Sequence, residues 1–518
     1  GQRMIIISAG VIMNILLGMA CFIIIYPNQG VRRLPVDAWS ISAGSPAWKQ
    51  GVKDGAHIHQ IDGDPIRDFR AMKLEVMSSK EGVPLAFQVT QPGAKEPITI
   101  HIAPKRGDSH LQVGIGVPPM KTELDVIPEE GKWVLYYNRP LGAARKVDLP
   151  RGTKIEEMTD PKDQSQWSKI TPPETLADRL WALAGKKASI KVAGKSQPID
   201  LATASTAIQS RDTIIGTTAP DQQGDYDPFH VTELDPDSRP GAEGQRDTFQ
   251  LRRRFLQLNG KVIVVLLDRK KEGGGSERYS LLVPPAYHLD YGLRMQMGQV
   301  TAVRENSPAK KAGVKEGDVI TQAKVLDEKG KVLAWFKNLN PARDKPKPGE
   351  PMPRQLAPMR LGFDLAQAVY GSADPDKTKV VLTVLRKNES THERLDTEVL
   401  KAVKWDAQWR YNQESTGAPN APLSIPELGV AFHVLSQIQS VVPDSAADKA
   451  GLKPDDTIEK IRYPVLPEIE EGKWQEQDFK QIDTQHHGEK KGEWAYYGTR
   501  IRNLPAREIE VQVKRIGT

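Results

Sequence analysis

The stretch from Ser307 to Val325 reads SPAKKAGVKEGDVITQAKV, and the chain repeats this pattern at two other places. The other copies are SPAWKQGVKDGAHIHQIDG, from Ser45, and SAADKAGLKPDDTIEKIRY, from Ser445. In each copy a serine that can cap a short helix is followed six residues later by a glycine that can end it. A second turn then leads into an apolar strand. The pattern therefore predicts a repeated module with one short helix and mainly β structure.

Length and composition agree with several such modules. The 518 residues suggest about three or four domains. Glycine and proline are frequent (42 and 39 residues) and aromatic residues make up only 6%, which favours short strands and many turns. The net charge of +6 is too small for a nucleic-acid surface, so we expect no nucleic-acid partner. The single cysteine excludes an internal disulfide and a cysteine-based zinc cage.

An apolar run from Met4 to Tyr26 precedes the first copy. A helix of this length would span about 34 Å, enough for a ~30 Å hydrocarbon layer, so we predict a transmembrane helix within residues 1–29. A cleaved signal peptide fits less well, because the apolar residues continue beyond the usual 7–15. Gly10 and Asn14 lie four residues apart on one helix face. They either pack against another helix or line a functional cavity.

The repeated pattern is similar to the core signature of PDZ domains, in the circularly permuted form found in bacterial envelope proteases. The second and third copies are each preceded by a strand that begins with a glycine and an apolar residue. These steps resemble the PDZ loop whose backbone N–H groups bind the carboxylate of a peptide that adds as a strand. The resemblance implies six peptide-binding residues: Gly292, Leu293, Met295, Gly429, Val430 and Phe432.

The opening GQRMIIISAGVIMN resembles the second core transmembrane helix of site-2 proteases, the intramembrane zinc metalloproteases of the RseP type. That resemblance implies an HExxH helix before this chain and an LDG helix after it, and neither motif occurs in residues 1–518. We therefore expect zinc in the full-length enzyme and none bound by this chain, which should be inactive alone. No catalytic residue is assigned here, although Gly10 and Asn14 are expected to line the active-site cavity.

The fold class predicted in this way is one transmembrane α-helix followed by tandem, mainly β (α+β), circularly permuted PDZ domains. The predicted boundaries are a transmembrane helix at 1–29, a first PDZ domain at 31–106, one or two degenerate modules with insertions at 111–287, a PDZ domain with a Pro-rich insertion at 288–404, a linker at 405–424 and a C-terminal PDZ domain at 425–518. Val113–Val117 could open the degenerate region.

The resemblance also implies a place and partners for the chain. The protein would lie in the inner (plasma) membrane, with the PDZ region on the extracytoplasmic, periplasmic side. Its partners would be the membrane, a peptide or membrane-protein substrate that the PDZ domains bind or filter, and the remaining transmembrane helices of the protease. The alternative is a non-catalytic, membrane-anchored scaffold with several PDZ domains.

Overall fold

The structure of the chain is a computed structural model. It describes residues 13–24, 34–107, 110–116, 144–172, 174–183, 186–203, 212–220, 226–238, 244–271, 273–285, 290–339, 349–387, 395–412, 414–415, 421–462, 480–481, 494–502 and 508–515.

A first unit contains the first copy of the repeat. Its elements are β1 (Ser40–Ser42), α1 (Pro46–Lys49), β2 (His57–Ile61), β3 (Asp64–Pro65), α2 (Phe69–Ser78), β4 (Leu85–Thr90), β5 (Ile98–Ile102), β6 (Lys105–Arg106), β7 (Leu111–Gln112) and β8 (Ile115–Gly116). Strands β3, β2, β4 and β5 form a four-stranded sheet in that order, and β8 pairs with β1. Trp48, Phe87 and Ile61 are buried in its core.

A middle unit follows. Its elements are β9 (Arg145–Lys146), β10 (Ile155–Thr159), β11 (Trp167–Ser168), α3 (Leu176–Ala182), β12 (Ala188–Val192), β13 (Ile199–Thr203), β14 (Thr213–Thr218), β15 (Val231–Glu233), α4 (Thr248–Gln257), β16 (Ile263–Lys270) and β17 (Ser276–Val283). All nine strands join one sheet, in the order β11-β10-β12-β13-β9-β17-β16-β14-β15. The short strand β9 connects its two halves, because it pairs with both β13 and β17.

The C-terminal unit holds the second and third copies. Its first elements are β18 (Leu293–Val303), α5 (Pro308–Ala312), β19 (Val319–Leu326), β20 (Val332–Lys337), β21 (Arg354–Gln355), α6 (Leu361–Tyr370), a 3₁₀ turn (Pro375–Lys377), β22 (Lys379–Lys387), β23 (Leu395–Val399) and β24 (Val403–Lys404). Then come a second 3₁₀ turn (Ala407–Trp409), β25 (Glu414–Ser415), β26 (Leu423–Ile425), β27 (Val430–Val441), α7 (Ala446–Lys449), β28 (Thr457–Arg462), β29 (Lys480–Gln481), α8 (Ala495–Arg502) and β30 (Glu510–Lys514).

Two long antiparallel strands, β18 and β27, hold this unit together. They pair from Leu293 opposite Val441 to Val303 opposite Val430, with several register shifts along the way. One hydrophobic core contains residues from both copies, including Phe336 from the second and Ile458 from the third. The ranges 288–404 and 425–518 therefore share a core. Trp405 and Trp409, which fall in the predicted linker, are also buried.

The predicted fold class, a transmembrane helix followed by tandem PDZ domains, is wrong. In the N-terminal part that the structure describes, residues 13–24 are helical, a length of about 18 Å. No helix of the described residues is long and apolar enough to cross a membrane. Residues 1–12 and 25–29 of the predicted span lie outside the described residues. The described part of the chain is β-rich: the first unit has its own four-stranded sheet, and the strands of the middle and C-terminal units join nine- and twelve-stranded sheets.

Candidate peptide-binding edges

Each copy of the repeat begins with a serine that caps a short helix. The Ser45, Ser307 and Ser445 hydroxyls accept hydrogen bonds from the backbone N–H groups of Trp48, Lys310 and Asp448, at 3.2–3.3 Å. An uncapped helix start would leave these N–H groups without a partner. The serine cap predicted from the sequence is therefore present in all three copies.

Each capping serine lies directly against a glycine from elsewhere in the chain, and we call each such pair a glycine seat. The three seats are Ser45 with Gly114, Ser307 with Gly429, and Ser445 with Gly292. All three glycines have positive φ angles, of 81°, 69° and 83°. A Cβ atom added to any of them would lie only 2.2–2.4 Å from the serine Cβ. A side chain at these positions would be strained by the positive φ angle and would clash with the serine, so glycine is needed there.

Backbone hydrogen bonds repeat in the same way at the three seats. The residue before each glycine accepts a bond at its carbonyl from the second helical residue: Ala47 N–H to Val113, Ala309 N–H to Leu428, and Ala447 N–H to Tyr291, at 2.8–3.0 Å. The carbonyl of each glycine accepts a bond at 2.9 Å from the last residue of the strand that enters the copy or from the residue just after it: from the N–H groups of Ser42, Arg304 and Val442. One local geometry therefore occurs three times.

The glycine seats bring together segments that are far apart in the sequence. Gly429 precedes the third copy, yet it packs against Ser307 of the second copy, and Gly292 packs against Ser445 of the third. Likewise Gly114 completes the first copy at Ser45, where we had expected its segment to open the region that follows. For Gly292 and Gly429 the cause is the antiparallel pairing of β18 and β27, which places the start of each strand beside the end of the other, and for Gly114 it is the antiparallel pairing of β8 with β1.

The strands that follow Gly292 and Gly429 differ in how their two edges are paired. After Gly292, β18 pairs on one edge with β27 through Leu293, Arg294, Met295 and Met297. On its other edge, among the strands that the structure describes, β18 meets only β19, and only at Gln299. The edge at Leu293–Met297 is thus unpaired within the described part of the chain. After Gly429, by contrast, Val430–Phe432 is paired on both edges, by β18 and by β26.

A carboxylate already lies at the start of the unpaired edge. The Asp290 side chain accepts a hydrogen bond from the Gly292 N–H at 2.8 Å and two from the Arg294 guanidinium at 2.9 and 3.0 Å. Burial raises the pKa of Asp290, but the hydrogen bonds from Arg294 and Gly292 outweigh it, so the pKa lies below its ordinary value. The seat can therefore hold an anionic oxygen at its glycine N–H.

Arginines act on this carboxylate and on that of Asp364. Arg360 lies close enough to influence Asp290, and Arg294, Arg354 and Arg360 all influence Asp364 on α6. Burial raises the pKa of Asp364 above its ordinary value despite these arginines. Arg294 and Arg360 thus act on both aspartates, and nearby positive charge of this kind favours a further anionic group.

The side chains that sequence reasoning assigned to peptide binding are mostly inside the core. Met295, Val430 and Phe432 are 0–2% exposed, and Leu293 is half-buried. The edge of β18 at Leu293–Met297, which has no partner among the described strands, can therefore offer a ligand its backbone and few of its side chains. Asn14 is exposed on the helical segment 13–24, and Gly10 lies outside the described residues, so their role in a cavity stays a prediction.

The zinc that the resemblance implies finds no site in the described residues. There, no three His, Cys, Asp or Glu side chains are grouped so that they could hold a metal ion. His57 bonds through Nδ1 to Asp37 at 2.8 Å, and His59 bonds through Nε2 to the Thr90 hydroxyl. These residues do not fit a catalytic zinc, and we assign no chemical step to one.

Sequence reasoning missed the segment Leu423–Ile425, which forms β26. It fell at the junction of the predicted linker and the C-terminal domain. Its only signal is the apolar-polar-apolar order Leu-Ser-Ile before Pro426, which is typical of a short strand but too brief to assign.

Comparisons with known proteins point to one class, the zinc metalloproteases. The chain is 30% identical over 122 residues to a Lactococcus lactis protein named as a zinc metalloprotease. The aligned residues make up 23% of this chain and 28% of that protein. It is 29% identical over 146 residues to zinc metalloprotease RasP of Geobacillus kaustophilus, and the aligned residues make up 27% of this chain and 34% of RasP. A Clostridium acetobutylicum protein with a similar name is 29% identical over 133 residues, which is 26% and 38% of the two chains.

These similarities support a relation to the zinc metalloproteases, over part of each protein. The chain spans only 28–38% of the length of these curated relatives. No protein-family profile matches the chain. A PDZ domain protein from Parabacteroides distasonis aligns over 70% of this chain and 93% of its own, with 9% identity and a TM-score of 0.13, which is too low to support an argument.

Proposed function

We infer that this chain is a peptide-recognition region of a longer zinc metalloprotease of the site-2 type. The observation that supports peptide recognition is the edge of β18 at Leu293–Met297, which begins at a glycine seat and has no partner among the strands that the structure describes. An unpaired edge offers a row of N–H and C=O groups to an added strand. The partial similarity to zinc metalloproteases supports the type of enzyme to which the region belongs.

The ligand would be an extended peptide that adds to β18 as an antiparallel or parallel strand. Its affinity would come mainly from backbone hydrogen bonds, because Met295 and Met297 are buried in the core. An anionic end of the peptide would replace the Asp290 carboxylate at the Gly292 N–H, close to Arg294. Binding of this kind is weak and broadly selective, as a region that recruits or filters substrates requires.

The longer protein would act at the cell membrane, with these modules on the extracytoplasmic side, where they would meet peptide or membrane-protein substrates. This placement follows from the type of enzyme proposed. It agrees with the cysteine content, because Cys21 is the single cysteine and an oxidising compartment could form no disulfide within the chain. Zinc and the catalytic residues would belong to other parts of the longer protein.

The test is a library of peptides with free C-termini, screened with the whole chain and with Arg294→Glu. The change reverses a charge beside Asp290, so we expect the best peptides to lose affinity at least about tenfold, or ~1.4 kcal/mol. Arg278→Glu is the matched control, because Arg278 is an exposed arginine of the middle unit. A library without binders, or an equal affinity for all three chains, would contradict the proposal.

A further inference from the structure

The edge of β27 that follows Gly429 has an occupant from the same chain. Strand β26 pairs with it antiparallel, with Leu423 opposite Phe432 and Ile425 opposite Val430. The corresponding edge of β18 after Gly292 has no such partner among the described strands. At the two glycine seats of the C-terminal unit, the edge of β27 is thus filled, whereas the edge of β18 has no partner in the part of the chain that the structure describes.

The occupant ends at the glycine seat. The carbonyl oxygen of Ile425 accepts two backbone hydrogen bonds, from Leu428 N–H at 3.1 Å and from Gly429 N–H at 2.8 Å. At the other seat the Gly292 N–H bonds the Asp290 carboxylate. In both seats the glycine N–H therefore holds an oxygen of the chain itself, and at Gly429 that oxygen ends an added strand.

The side chain of the occupant is enclosed as a bound ligand's would be. Ile425 is 0% exposed and belongs to the core of the unit. Helix α6 lies on its other side, where a Cβ atom at Gly362 would lie 3.6 Å from Ile425 Cγ1 and 3.8 Å from the Ser424 carbonyl oxygen. The segment Leu423–Ile425 therefore lies between a strand and a helix.

Polar groups hold the middle residue of the occupant and the residue that follows it. The Ser424 hydroxyl bonds to the Glu414 carboxylate, and Arg304 donates a bond to the Pro426 carbonyl at 2.6 Å. Arg304 is 1% exposed and stacks on Trp409, with the guanidinium carbon 3.3 Å from the ring centroid. Arg304 lies 122 residues before Pro426, and Glu414 lies 10 residues before Ser424, so groups outside the segment form a site and the segment fills it.

We propose that the edge of β27 at Val430–Phe432 is a second strand-addition site, kept closed by the chain's own segment Leu423–Ile425 as its resident ligand. A competing peptide must displace this segment, so the C-terminal unit presents one open and one closed edge. The proposal rests on the proposed function, since it assumes that these edges bind peptides.

The test uses the whole chain and the peptide Ala-Pro-Leu-Ser-Ile, labelled at its N-terminus and with a free carboxylate, which copies residues 421–425. Ile425→Ala removes the buried side chain that holds the resident segment. Fluorescence anisotropy should then show the peptide binding at least about 30-fold more tightly to Ile425→Ala than to the unaltered chain. Val399→Ala, at a residue 69% exposed in the same unit, is the control and should leave the affinity unchanged.

The outcomes separate this proposal from the proposed function. Equal affinity for the unaltered chain and Ile425→Ala would place the peptide at an edge other than β27, which overturns the closed site and keeps peptide recognition. If Ile425→Ala folds but binds no peptide, β26 is only a structural strand of a hairpin, and the proposal is overturned. If Ile425→Ala does not fold, Ile425→Thr replaces it with the same expectation, because threonine keeps the β-branched shape and loses the apolar contact.

Discussion

Gly429 and Ser307 lie so close that a Cβ atom on Gly429 would be 2.4 Å from the Ser307 Cβ, although 122 residues separate them in the chain. The contact joins the start of β27 to the helix of the second copy. It recurs between Gly292 and Ser445 and between Gly114 and Ser45. The repeat is therefore a repeat of packing between a capped helix and a distant glycine, as well as of sequence.

Gly429→Ala tests this contact. The change adds a Cβ in a left-handed conformation and against a fixed serine, so we expect a loss of about 2–5 kcal/mol in the free energy of unfolding, measured by urea titration. Gly330→Ala is the matched control, because Gly330 has φ +82° and nothing within 4 Å of the added Cβ. It should cost only the backbone strain, about 1–2 kcal/mol. Equal losses for the two variants would argue against the glycine seat.

A second prediction concerns Arg304, which is buried between Trp48 and Trp409 and has its pKa lowered by burial to about 10. Arg304→Met should lower the free energy of unfolding by about 2–4 kcal/mol, since it removes the stacking and the bond to Pro426. Arg106→Met, at a 64% exposed arginine, should change it by less than ~1 kcal/mol. A small effect at Arg304 would mean that the two tryptophans pack equally well without the charge.

A third prediction is a dependence of stability on pH. Burial, with a smaller contribution from the nearby Glu414, raises the pKa of Glu427 from 4.5 to about 7, although Arg410 and Arg304 oppose the shift. Between these values the folded chain keeps a proton that the unfolded chain has lost. Stability should therefore fall by about 3 kcal/mol as the pH rises from about 4.5 to about 7.

Glu427→Gln is the control for that prediction, because it keeps the shape and removes the charge. Unfolding titrations at a series of pH values should give a smaller fall for Glu427→Gln than for the unaltered chain. Parallel pH profiles for the two chains would show that Glu427 titrates normally in the folded state.

A fourth prediction follows from the carboxylate at the unpaired edge. Asp290→Ala frees the Gly292 N–H and removes a negative charge, so peptides with a free carboxylate should bind about 5–30-fold more tightly. The same peptides with amidated C-termini should gain much less. Asp374→Ala, at an exposed aspartate near Lys377, is the matched control. Tighter binding of both peptide forms would mean that the C-terminus is not held at Gly292.

The local part of the fold was accessible from the sequence. The capping serines Ser45, Ser307 and Ser445 lie where the pattern predicts them, because caps and turns depend on residues within a few positions. The partners of Gly114, Gly292 and Gly429 were not accessible, because long-range strand pairing decides them. The segment Leu423–Ile425 has too few residues for a periodic pattern, and its position depends on Glu414, Arg304 and α6.

Peptide recognition at the edge of β18, which is unpaired within the described residues, is tested most directly by hydrogen exchange on the whole chain. A peptide selected from the library should slow exchange at least about tenfold at backbone amides within Leu293–Met297, since strand addition gives its unpaired N–H groups new partners. Exchange at Ile98–Ile102, in the first unit, is the internal reference and should not change. Saturating peptide that leaves the exchange of Leu293–Met297 unaltered would contradict peptide recognition at this edge.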